Sequence, residues 1–191
     1  MSFREHEYAE LRRTIAIRGT VRMALVPITF GWWAALAVVL LLYSTLPVAS
    51  LYTLAILAAG FEAAHALHVG AERIGRYLQV AYEERTDDDS VTGSHPRWET
   101  TAMAVGPALP GGGTDPLFTV LFCCAAIVNL LPAVLPRPQP IEIAVVLALH
   151  AAFVGRMVRA RSAAARQRAA ELARFRDVIQ SRIPGTKSPP R

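Results

Sequence analysis

Apolar residues along this chain gather into four blocks separated by polar sequence, and each block is close to the length of a helix that crosses a bilayer. The first, Met23 to Tyr43 (MALVPITFGWWAALAVVLLLY), carries no charge, and at about 1.5 Å rise per residue it matches a hydrocarbon core of about 30 Å. The second, Ala49 to Val69, is equally long but contains Glu62, His65 and His68. The third, Pro116 to Leu135, and the fourth, Pro140 to Met157, lie near the lower length limit. Only Thr45 to Val48 and Pro136 to Gln139 separate the members of each pair. The pattern therefore predicts an all-α integral membrane protein with four transmembrane helices in two hairpins and cytoplasmic helical extensions.

Helical periodicity continues outside the apolar blocks. Between Ser2 and Gly19, Tyr8, Leu11 and Ile15 recur at helical spacing against Arg and Glu, which predicts an amphipathic helix on the membrane surface before the first span. Ala71 to Glu84 places Ile74, Leu78 and Ala81 on one side, so the second span is expected to run on without a break. The tail continues from Arg156 to near Ile183, with Leu172, Phe175, Ile179 and Ile183 as a packing stripe that Pro184 and Gly185 end. Between the hairpins, Arg85 to Asp115 is rich in Gly, Pro, Ser, Thr and Asp and reads as a long loop, in which Trp98, Met103 and Val105 could dock. Asp87, Asp88 and Asp89 read as a solvated charge run, because consecutive carboxylates on a loop do not converge on a cation without a scaffold. The resulting segments are 1–22, 23–70, 71–115, 116–157 and 158–191.

Charge then orients these segments. Arg4, Arg12, Arg13, Arg18 and Arg22 precede the first block, Arg73, Arg76, Arg85 and Arg97 lie between the pairs, ten more basic residues run from Arg156 to Arg191, and only Arg137 falls elsewhere. Lys and Arg near span ends stay on the cytoplasmic side. Both termini and the central loop are thus expected in the cytoplasm, with two short external turns, in a multi-pass protein of the inner membrane. The same rule accounts for the net charge of +5, so lipid headgroups rather than nucleic acid are the expected contacts of these arginines. Nineteen Arg to one Lys, with abundant Ala, suggests a GC-rich bacterial genome. A cleavable signal is disfavoured for the first block, which is too long and follows more than twenty residues containing Glu5, Glu7 and Glu10.

Candidate chemistry is confined to a few ionisable residues. Cys123 and Cys124 are adjacent in the third block and read as packing residues. Glu62, His65, Val69, Glu72 and Arg76 fall within about 80° of one another on a helix, with His68 and Arg73 on the flanks, which forms a polar stripe. Glu62 and His150 each fall near the middle of their spans and are expected to meet, helped by close approach at Ala59 with Ala63 and Ala148 with Ala152. Glu72, Arg73 and Arg76 mark the cytoplasmic boundary. An ionisable residue inside a span is expensive and is read as functional. Three uses compete for Glu62, His65, His68 and His150: a structural cluster, proton or ion transport in an oligomer, or a cofactor site, with His65 or His68 and His150 as haem ligands or Glu62, His65 and His150 as ligands of a transition metal. No nucleophile triad, phosphate loop or complete metal motif is present. The reading that needs no catalytic site is an accessory or assembly subunit of a membrane complex, embedded in lipid and joined to a homo- or hetero-oligomeric partner.

Overall fold

The computed structural model describes residues 3–44, 46–83, 117–134 and 139–181, and its ordered elements are all helical. Helix α1 (Phe3–Tyr43) runs unbroken for 41 residues. A 3₁₀ turn, Pro47–Ala49, leads into α2 (Ser50–Leu78), which passes into a π-helical turn at Gln79–Glu83. Then come α3 (Thr119–Val128), the short α4 (Leu131–Val134) and α5 (Pro140–Ser181), 42 residues long. The expected loop Arg85–Asp115, with Asp87 to Asp89, Trp98, Met103 and Val105, lies outside the described residues, as do residues 135–138 between the third and fourth blocks and the end of the tail from residue 182.

Three of these helices, within Phe3–Tyr43, Pro47–Glu83 and Pro140–Ala163, are long and apolar enough to cross a membrane. The third apolar block departs from expectation. It forms a shorter apolar stretch, Thr119–Val134, about 24 Å at helical rise, and it is broken after Val128. The cause is local. Pro132 has no N–H to offer the Val128 carbonyl, and its ring crowds that carbonyl, so the chain turns at Asn129 and Leu130 through a tighter bond from Leu130 N–H to Ile127 O at 3.1 Å.

Contacts divide the chain into two units. One comprises residues 19–68 and 115–162, the other 1–18, 69–114 and 163–191. In the first, α1 and α2 are antiparallel, with Arg22 beside His68 and Thr29 beside Gly60. A Cβ at Gly60 would overlap the Thr29 side chain, so glycine is what permits the two backbones to approach there. Helix α3 returns along α2, with Phe122 on Phe61 and Asn129 beside Ser50 and Thr53. Helix α5 runs parallel to α2, since His150 shares Asn129 with Ser50 whereas Arg156 meets Glu62. The core is aromatic and aliphatic: Leu54, Leu57, Phe61, Phe122, Phe153 and Met157 are buried, and the Phe61 ring lies edge-on to Phe122 at 5.5 Å and to Phe153 at 6.1 Å. Only 11% of the most apolar window of α1 is buried, which leaves Trp32, Val38, Leu41 and Leu42 as surface suited to lipid.

In the second unit the first turns of α1 pack rather than stand alone. Tyr8 lies 5.4 Å from Tyr82, the Tyr77 hydroxyl donates to Glu7 at 3.3 Å, and Arg4 donates to the Ala81 carbonyl at 3.3 Å. The N-terminal segment is thus the beginning of one long helix and makes these protein contacts. From α5, Phe175 meets Tyr77 at 5.9 Å, which gives the apolar stripe of the tail its partner.

Candidate functional site

On α2 and α5, Glu62 and Arg156 form an ion pair, with Arg156 Nη2 donating to Glu62 Oε2 at 2.8 Å. His65 Nδ1 lies 4.0 Å from the same carboxylate oxygen, one helical turn along α2, and its ring stacks on Phe61 at 6.1 Å. The pair is not interior. The side chains of Glu62 and Arg156 are 47% and 43% exposed, whereas His65 is 21% exposed. Glu62 Oε1 and the remaining guanidinium nitrogens of Arg156 take no further partner among the described residues. Six residues on, about 9 Å at helical rise, His68 Nδ1 lies 2.9 Å from Arg22 Nη1. A guanidinium can only donate, so that ring nitrogen accepts.

His150 stands elsewhere. It is 3% exposed and belongs to a network centred on Asn129, itself 3% exposed. The Asn129 carbonyl accepts from Trp33 Nε1 at 3.1 Å and from the Thr53 hydroxyl at 2.6 Å, and its amide donates to Ser50 O at 2.9 Å. The indole can only donate and a carbonyl can only accept, so the amide orientation is determined. His150 Nδ1 lies 2.8 Å from Val146 O and must be the protonated nitrogen; Nε2, 3.1 Å from Asn129 Nδ2, accepts. All hydrogen-bonding capacity of the amide is used. Beside it, a pocket of about 240 Å³ is lined by residues including Leu40, Ser44, Ser50, Thr53, Asn129 and Pro132. The polar groups of Thr53 and Asn129 in its wall are bonded to each other.

These two polar groups are separated by a layer of buried apolar side chains. Thr53 precedes Glu62 by nine residues, about 14 Å along α2, and between them Leu54, Leu57 and Phe61 are buried against Phe122 and Phe153. The expected meeting of Glu62 with His150 therefore does not occur. Parallel packing of α2 and α5 brings Arg156, not His150, to the level of Glu62. Of the small residues invoked for that contact, Ala59, Ala148 and Ala152 are exposed and Ala63 is half-buried.

The boundary residues Glu72, Arg73 and Arg76 form a cluster of their own, completed by Glu171 of α5. Arg76 is 5% exposed and pairs with both Glu171 and Glu72, the latter at 3.4 Å. Arg73 Nη2 reaches Glu171 at 3.2 Å, and Gln167 Nε2 donates to it at 2.8 Å. Burial would raise the Glu171 carboxyl, but hydrogen bonds from Arg76, Gln167 and Arg73 and the charge of Arg76 outweigh it and hold the group below its ordinary range.

Among the described residues no three His, Cys, Asp or Glu side chains converge on a point that could hold a metal ion, so Glu62, His65 and His150 do not form a ligand set. A haem between His150 and His65 or His68 does not fit either. Both ring nitrogens of His150 are engaged and His68 Nδ1 faces Arg22. No known protein family, curated protein or solved structure matches the chain. Three residues of the site were missed in the sequence: Asn129, Arg156 and Glu171. A polar residue inside an apolar block and three residues before a proline was the available signal for Asn129. Arg156 and Glu171 look like ordinary members of a basic tail.

Proposed function

We propose that this chain is an accessory or assembly subunit of a membrane complex, inserted with four spans in an inner membrane and both termini in the cytoplasm, and that it meets its partner along the seam between α2 and α5. The observation that carries the reading is the Glu62–Arg156 pair. Two formal charges on apolar helices, each more than two-fifths exposed, are costly against lipid tails and suited to a protein partner that shields them. The even number of spans is supported by the parallel course of α2 and α5, because the chain must return between them, and by the basic residues of the sequence. The apolar layer between the two polar groups offers no stepping stone for a proton within one chain, which weighs against transport.

The test is native mass spectrometry of the tagged full-length chain extracted in mild detergent, beside Glu62→Gln and Arg156→Gln. The expected result is a particle larger than one chain that both substitutions dissociate while helicity and thermal unfolding hold. A monomeric wild type would reject the reading.

A further inference from the structure

The charge pattern of the seam is its own complement. One face carries an anion on α2 and a cation on α5, and each uses a fraction of its bonding capacity: Glu62 one carboxylate oxygen, Arg156 one guanidinium nitrogen. A two-fold rotation about an axis through the seam would set Glu62 of one copy against Arg156 of the other, twice. The two internal pairs would then become a ring of four alternating charges, with the free carboxylate oxygens accepting from the free guanidinium nitrogens in forked geometry.

The surfaces flanking the pair allow the approach this needs. On α2, Ala55, Ala59 and Ala66 are exposed at three- and four-residue spacing around Glu62, and on α5 Ala148, Ala152 and Gly155 are exposed near Arg156, together with the larger Val145 and Leu149. A Cβ built on Gly155 would meet nothing within 4 Å. Small residues in this arrangement let helix backbones come close in a membrane, where packing and polar contacts drive association.

Building on the subunit reading above, we infer that the partner on the α2–α5 seam is a second copy of this chain, held by reciprocal Glu62–Arg156 pairs. A different protein with a mixed-charge helix, or a lipid headgroup drawn to Arg156, are the competing occupants.

The experiment uses full-length chains labelled as donor or acceptor in proteoliposomes, with energy transfer followed as protein is diluted into lipid. Arg156→Glu leaves two anions on the face and Glu62→Arg leaves two cations. Each variant alone should self-associate at least about tenfold more weakly than wild type, since like charges across an interface cost several kcal/mol. The two variants mixed should recover transfer, because their faces are complementary. The chain carrying both substitutions keeps its internal pair and should associate like wild type, which separates lost pairing from lost folding. A mixture no better than either variant alone overturns the inference, as does a wild type showing no transfer at any dilution. Detergent particles larger than one chain without transfer between copies would remove the second copy and leave the subunit reading standing. A monomer in both assays removes both.

Discussion

Asn129 donates through Nδ2 to Nε2 of His150 at 3.1 Å, and the direction of that bond follows from bonds made at the far ends of both side chains. Trp33 can only donate to the Asn129 carbonyl oxygen, and Val146 can only accept from His150 Nδ1. The arrangement ties α1, α2, α3 and α5 together at the point where the third apolar block breaks.

Replacing Asn129 with Leu leaves the Trp33 indole N–H, the Ser50 carbonyl and His150 Nε2 without this partner. A buried polar group left unsatisfied costs about 1 to 3 kcal/mol, so the thermal unfolding midpoint in detergent should fall clearly. Nitrogen NMR of labelled His150 should report the Nδ1-protonated tautomer in wild type. An unchanged midpoint together with the Nε2-protonated tautomer would contradict the network.

The contact of Gly60 with Thr29 is a steric claim with a built-in rescue. Gly60→Ala forces its methyl into the Thr29 side chain and should destabilise by about 1 to 3 kcal/mol, as overpacking does. Adding Thr29→Ala removes the overlap with Cγ2 and Oγ1 but leaves the Cβ 2.8 Å away, so it should return part of that loss. Additive penalties in the double-mutant cycle would show that the two positions do not touch.

Glu171 supplies a pH dependence of known sign. Its folded-state carboxyl titrates below its ordinary range, so its stabilisation is present above the unfolded value and is lost as pH falls through the folded one. Glu171→Gln should therefore weaken hydrogen-exchange protection of residues 69–83 and 163–181 at neutral pH, and the gap between wild type and variant should close on acidification. A gap that widens toward acid would refute the assignment. Loss of Glu171 leaves Arg76, buried with an unbonded Nε, with Glu72 as its remaining ion-pair partner, a loss of about 2 to 3 kcal/mol.

The proposed topology is checked by single cysteines introduced at Thr45, Arg137, Glu10 and Arg166 in a chain whose Cys123 and Cys124 are replaced by Ala. A membrane-impermeant maleimide should label the first two from outside intact cells and the last two only after permeabilisation. Labelling of Glu10→Cys and Arg166→Cys from opposite sides would make the number of spans odd and overturn it.

Much of the architecture is legible locally. A charge-free run such as Met23–Tyr43 has few alternatives to a membrane-length helix, because every backbone N–H and C=O must be bonded within it where no water is present. The continuation of α2 past His68, through Gly70 and Gly75, and of α5 past Met157 follows from unbroken helical periodicity with no Pro to stop either. The break in the third block was also encoded, in Pro132. The apolar content of the block hid it, since hydropathy counts residues and is blind to a missing donor.

The functional residues were a harder case. That Glu62, His65, His68 and His150 are exceptional could be read from the cost of ionisable groups inside apolar segments. Which of them meet could not. Periodicity specifies the face of a helix on which a residue lies but not the axial offset or rotation between two helices, and those are set by packing such as Gly60 on Thr29 and Phe61 among Phe122 and Phe153. The sequence alone thus determined helical segments, their apolar character and the residues costly enough to require partners. Tertiary structure decided the partners: Arg156 rather than His150 for Glu62, Asn129 for His150, and Glu171 for Arg76. The physical reason is that pairing depends on the register of close-packed side chains distant in sequence, and no local pattern carries that register.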